Sequence, residues 1–236
     1  MRGLHVSLDA LATLRAVGGR DEPRLVVFAV AAELAGADGV RVGVNDSLRP
    51  VSETDLHDLR RIARHLELRL APTPALLKLA LEVRPDRVLL ASEPLHGVFD
   101  AAPLEPTALR GQAQGAARAL REAGIPIWAR IAPDLEAVKA ARAAELDGVE
   151  LYALAIVDLP ESERPAALER FADATRLAAK LRLPVRTAGS LDGRSLRALL
   201  AVAPVVEGVV VGRELIARSL LLGVERAVRD LRAELG

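Results

Sequence analysis

The side chains best equipped for chemistry sit in or just after short apolar runs of the chain. Ser7 and Asp9 lie at the end of the first run. Arg41, Gly43 and Asn45 alternate through the second, Arg69 lies in the third, Arg130 in the fifth, and Glu150 and Tyr152 in the sixth. In extended backbone, a period of two puts Ser7 with Asp9, Arg41 with Gly43 and Asn45, and Glu150 with Tyr152 on shared faces. Charged groups on buried faces need partners. Either an internal ion-pair network or a pocket with a charged ligand meets that need. Asp9 and Glu150 are the carboxylates with proton-transfer potential, and His96, in a long loop, is the histidine placed for catalysis. His57 and His65 read as solvated helix residues, and His5 as a core residue. No two histidines have metal-ligand spacing and the chain has no Cys, so no metal site, thiolate chemistry or disulfide is expected.

A second constellation suits an anion. The seventh run ends Thr187-Ala188-Gly189-Ser190, and the eighth ends Val211-Gly212-Arg213 and passes directly into a helical pattern. Glycine lets backbone N–H groups approach a ligand closely. A helix N-terminus adds unpaired donors and partial positive charge, and a guanidinium can grip phosphate with two hydrogen bonds. Ser190, Gly212 and Arg213 therefore read as a phosphate cradle, with Gly189, Ser7, Asn45 and Arg69 as further ligand contacts. The alternative reading is a tight turn and a solvated arginine.

The elements that must position these residues alternate regularly. Strands are predicted at 4–8, 39–44, 67–71, 87–91, 126–131, 148–152, 184–187 and 208–211. Helices are predicted at 11–17 and 23–34, then at 53–65, 74–83, 106–123, 135–146, 165–181, 194–202 and 214–235. Ser52 with Asp55 forms a capping-box variant, and Thr73 caps the following helix. Eight βα units in 236 residues fit an α/β fold, a single (β/α)8 TIM barrel spanning 1–236. A doubly wound sheet is the alternative, but no Gly-x-Gly-x-x-Gly follows the first strand. In such barrels the loops after the strands build the active face, which is where the residues above fall.

Bulk properties exclude several classes. Lys+Arg and Asp+Glu are equal at 32 each, so no global field attracts nucleic acid or anionic membrane. Aromatic residues make up only 2% of the chain, too few for base-stacking platforms. No apolar run reaches membrane-spanning length and no secretory signal opens the chain, so a cytoplasmic protein is expected.

The chain also resembles a known family. The stretch Leu4 to Arg15 resembles the opening GVNIDHIATLR of pyridoxine 5'-phosphate synthases. Ala35 to Val40 resembles their AGADGIT, Ser52 to Arg60 their ITDRDVRILR, and Val209 to Val228 their last strand and helix. The resemblance spans nearly the whole chain. It implies an octameric barrel in vitamin B6 biosynthesis, without metal, that condenses 1-deoxy-D-xylulose 5-phosphate with 3-amino-2-oxopropyl phosphate. The products are pyridoxine 5'-phosphate, phosphate and water, and ring closure requires general acids and bases. The family's HLREDRRH falls on Gly43 to Pro50, so its catalytic His becomes Gly43 and its substrate-binding Arg and His become Asn45 and Pro50. Its Glu base becomes Arg69. Its AGHG falls on Thr187 to Ser190, so the acid His becomes Gly189, and the His of its opening IDH becomes Ala10. Asp9, Glu150 and Gly212 are kept, while Ser190 and Arg213 replace a phosphate-binding Gly and a neighbouring His. The implied protein binds a phosphorylated small molecule or inorganic phosphate, with the condensation lost or altered. Its alternative is a non-catalytic binding or assembly protein that keeps the barrel and oligomer surface.

Overall fold

The computed structural model describes residues 1–19, 21–93, 101–157, 159–189 and 191–235. Its strands are β1 (Gly3–Ser7), β2 (Gly39–Gly43), β3 (Leu66–Leu70), β4 (Arg87–Leu90), β5 (Ile127–Ile131), β6 (Gly148–Tyr152), β7 (Val185–Ala188) and β8 (Gly208–Val211). Each pairs in parallel with the next, and β8 returns to β1 with His5 opposite Val210, closing an eight-stranded barrel. Along each strand the period of two separates two environments. Leu4 and Val6, Val40 and Val42, Leu66 and Leu68, Ile127 and Ala129, and Val149 and Leu151 are fully buried. They form the apolar set of the barrel wall, which the surrounding helices cover.

The alternate positions fill the axis with charge. Arg41 on β2 donates to Glu150 on β6 at 2.6 Å, and Arg186 on β7 donates to Glu67 on β3 at 2.6 Å. Strands two and six, like three and seven, stand opposite in a ring of eight, so these pairs cross the barrel. Branched apolar side chains usually fill this space. Here Arg130 adds a second guanidinium to Glu150 at 2.7 Å and Arg87 lies 3.6 Å from Glu67. The Trp128 ring lies 4.5 Å from the Arg87 guanidinium carbon and 5.0 Å from that of Arg186.

The helices are α1 (Asp9–Gly18), α2 (Leu25–Leu34), α3 (Glu53–Ile62), α4 (Pro74–Val83), α5 (Pro106–Ala108), α6 (Gln114–Glu122), α7 (Leu135–Ala143), α8 (Leu154–Val157), α9 (Arg164–Lys180), α10 (Gly193–Val202), α11 (Arg213–Leu222) and α12 (Val224–Glu234). The capping box at Ser52 forms, with its hydroxyl accepting from Asp55 N–H and the Asp55 carboxylate accepting from Ser52 N–H. Thr73 caps α4, whose bounds match the sequence reading.

Several expectations need correction. Asp9 does not end a strand; β1 stops at Ser7 and Asp9 opens α1. The helix expected to reach His65 stops at Ile62, and His65 is half-buried, packing edge-on against His5 with ring centroids 5.1 Å apart. The expected helix 106–123 contains a π-helical turn, Leu109–Ala113, between α5 and α6. The expected helix 214–235 is two helices broken at Gly223, whose φ of 80° a helix cannot continue through. The short α8 had no counterpart in the sequence reading.

Candidate functional site

The site grows from the C-terminal ends of β1, β2, β3 and β8. Asp9, the first residue of α1, accepts the Gly43 N–H on Oδ1 at 2.6 Å and the Ser7 hydroxyl on Oδ2 at 2.8 Å. Arg69 from β3 pairs with the same Oδ2 at 3.3 Å. Gly212, the N-cap of α11, lies against Ser7: a Cβ added there would stand 3.1 Å from the Ser7 Cβ. The structure thus brings Ser7, Asp9, Gly43, Arg69 and Gly212 together at one mouth.

Two glycines of this mouth have neighbours in the space a side chain would need. A Cβ at Gly43 would overlap Arg69 Nη2 and stand 3.0 Å from its Cζ. A side chain at position 43 would therefore require the Arg69 guanidinium, the far end of a flexible side chain, to move aside. Gly189, at the end of β7, has φ +111°, where a side chain is strained. A Cβ there would stand 2.8 Å from the Leu154 nitrogen and 3.2 Å from Tyr152 Cε2. Tyr152, the last residue of β6, stacks its ring on the Arg130 guanidinium at 4.7 Å.

Other expected site residues lie elsewhere. Glu150 lies below the mouth, fully buried, within ion-pair distance of Arg41, Arg130 and Arg186. Burial alone would raise its pKa, but the three guanidiniums outweigh burial and hold it far below the usual carboxylate range. Glu67 balances in the same way, burial opposed by Arg186 and Arg41, and sits at about 2. Neither is a proton acceptor at neutral pH. Asn45 spends its side chain on its own loop, accepting from Ser47 Oγ at 2.8 Å and donating to the Arg49 carbonyl at 2.9 Å. Arg213 is mostly exposed and lies 3.6 Å from Glu214. His96 and Ser190 fall outside the described residues.

Glu67, Arg87, Trp128 and Arg186, which complete the buried network, are not among the strand residues singled out in the sequence. Three carried a readable signal: Glu67 and Trp128 stand two positions before Arg69 and Arg130, and Arg186 shares β7 with the anion motif. Among the described residues, no group of His, Asp and Glu is arranged to hold a metal ion.

Comparison with known proteins gives the lineage. Residues 4–236 match the family model described as pyridoxal phosphate biosynthesis protein PdxJ. The pyridoxine 5'-phosphate synthase of Desulfatibacillum aliphaticivorans is 34% identical over 234 residues, covering 99% of this chain and 98% of that protein. That of Geobacter metallireducens is 32% identical over 234 residues, covering 98% and 97%. Among solved structures, thiamine phosphate pyrophosphorylase from Pyrococcus furiosus superposes with a TM-score of 0.63 at 18% identity, covering 98% of this chain and 94% of that one, a likeness of fold. The model match and the full-length identity place this chain in the PdxJ family.

Proposed function

We propose that this PdxJ-family barrel binds a phosphorylated small molecule, or phosphate itself, at the mouth, and that it has lost or altered the family's condensation. The observation that carries the reading is the placement of Arg69 across Gly43. By resemblance these positions hold a Glu base and a catalytic His. Here the two are physically coupled: a side chain at 43 and the present course of Arg69 exclude each other. The guanidinium stays protonated at any working pH and cannot act as a base. Its charge favours holding an anion. Gly189, aligned with the acid His, is likewise closed in by Leu154 and Tyr152. The parts suited to anion binding remain, with Gly212 opening α11 and Arg213 as its first residue.

The test is thermal. Phosphate or a sugar phosphate binds only the folded state and raises Tm, by about 2.7 kcal/mol of stability at a hundred times its Kd. Arg213→Ala should shrink that shift without lowering the Tm of the free protein. If phosphate, sulfate and sugar phosphates all leave the wild-type melting curve in place, the turn at Gly212 holds nothing and the reading fails.

A cytoplasmic homo-oligomer is part of the same proposal. Val27, Val30 and Leu34 follow one another along one face of α2 and stay exposed, as does Ile62 of the adjoining α3. An apolar stripe of this kind favours self-association. Light scattering that gives a monomer at micromolar concentration would remove it.

A further inference from the structure

A cavity of about 290 Å³ lies among α8, α9 and α10. That is near the lower end of the range that takes small ligands, roughly 300 Å³ upward. The first turns of α9 and α10 line it, so it lies toward the same end of the barrel as the mouth. None of Ser7, Asp9, Gly43, Arg69 or Gly212 borders it. Its lining follows from helical spacing. Arg164 and Leu168 are four residues apart on α9, and Ser195, Ala198 and Leu199 fall at i, i+3 and i+4 on α10, so each set shares a face. Ile156 and Leu199 are buried and Leu168 is half-buried, which gives the cavity an apolar floor.

The charges around this floor do not balance. Two cations, Arg164 and Arg194, line the cavity with one carboxylate, Asp192. Asp192 caps α10 by accepting the Ser195 N–H at 2.7 Å, and that bond with the Ser195 hydroxyl holds its carboxyl below the usual range. Arg164 uses its Nε on the Leu159 carbonyl at 2.9 Å. Among the described residues, its terminal nitrogens and the Arg194 guanidinium have no hydrogen bond or ion pair. Two other clefts differ in this respect. Lys78 lies 3.8 Å from Glu82 in one, and Arg49 shares the other with Asp21 and Glu53. Two guanidiniums around one cavity repel each other. An anion between them removes the repulsion and accepts charge-assisted hydrogen bonds from both.

We propose that this cavity is a second ligand site, for a small amphiphilic anion: one phosphate or carboxylate group on a short apolar chain. The anionic group accepts from Arg164 and Arg194, and the chain covers Ile156, Leu168 and Leu199. The site stands apart from the mouth and does not rest on the reading given to it.

Titration calorimetry with butyl phosphate and with pentanoate tests it. Both should bind the wild-type protein, and butyl phosphate should bind more tightly than inorganic phosphate because its chain buries apolar surface. Replacing both arginines, Arg164→Ala with Arg194→Ala, should weaken butyl phosphate about tenfold or more. Ala198→Phe, a change at an exposed helix position that fills the cavity, should do the same with unchanged circular dichroism. Arg213→Ala, which alters the mouth, should leave the affinity as it is. No saturable heat with either probe overturns the proposal. So does equal affinity in the double-arginine variant or in Ala198→Phe. A loss of binding in Arg213→Ala alone would assign the probe to the mouth and overturn this site while leaving the mouth reading in place.

Discussion

The lower barrel and its mouth both place carboxylates among arginines, but they use them differently. Below, Glu67 and Glu150 are shut away from water and ringed by Arg41, Arg87, Arg130 and Arg186. Above, Asp9 pairs with Arg69 in a cluster with Ser7, Gly43 and the partly exposed Gly212. Where charges cross the axis and satisfy one another in low dielectric, they set the packing, and removing one leaves the rest uncompensated. Where a charge pair shares its space with glycine backbone and half-buried polar groups, a ligand can compete for it. Arg69 and Ser7 are themselves buried, so what separates the two regions is pairing: Glu67 and Glu150 each sit among several guanidiniums, whereas Asp9 divides its oxygens between Arg69, Ser7 and the Gly43 N–H.

The comparison breaks most severely at Glu150. Glu150→Ala should cost about 3–5 kcal/mol, because it leaves several guanidiniums buried without their counter-charge. Denaturant unfolding measures it, and a loss below about 1 kcal/mol would mean that the lower network is not the structural half. Gly43→His should cost about 1–3 kcal/mol through overlap with Arg69. Arg69→Ala in the same chain should recover much of that, giving a coupling of about 0.5–3 kcal/mol in a double-mutant cycle. Simple additivity would show that Arg69 moves aside freely and that the two positions are independent.

A smaller effect sharpens the contrast from beneath the barrel. Burial lowers the His5 pKa from 6.5 to about 4, and burial with Arg87 nearby lowers that of His65. The unfolded chain therefore takes up these protons first. Stability is full above pH 6.5 and falls as pH drops from there toward about 4. Melting curves across this window should slope downward toward acid, and His5→Gln should flatten the slope; an unchanged slope in that variant would refute the assignment. Smallest is Arg213→Ala, expected to change the unfolding free energy of the free protein by no more than about 0.5 kcal/mol in denaturant unfolding.

Much of the fold was legible because it is written locally. Each strand is an apolar run bounded by turn residues, and the caps at Ser52 and Thr73 announce their helices. The stop of α3 before His65 was not legible, since Ala63, Arg64 and His65 continue a helical pattern; tertiary packing of His65 on His5 decides it. The π-helical turn at Leu109–Ala113 is equally silent in the sequence. In the interior, Arg41, Arg69, Arg130 and Glu150 stood out as charges in the middle of strands. Glu67 and Arg87 open or nearly open their runs and read as flanking charges. Their role appears only when the barrel closes and brings β3 opposite β7, joining Glu67 to Arg186 across 119 residues of chain. At the mouth, the types at 43 and 69 were readable, but the overlap that makes them one unit was not.

The claim with most at stake is the proposal that this mouth does not run the family's condensation at an enzyme's pace. Purified protein supplied with both 1-deoxy-D-xylulose 5-phosphate and 3-amino-2-oxopropyl phosphate, with product followed by mass, tests it directly. The account predicts that pyridoxine 5'-phosphate forms not at all or very slowly. Formation at roughly 1 per second or faster, an ordinary enzyme's rate, would contradict it.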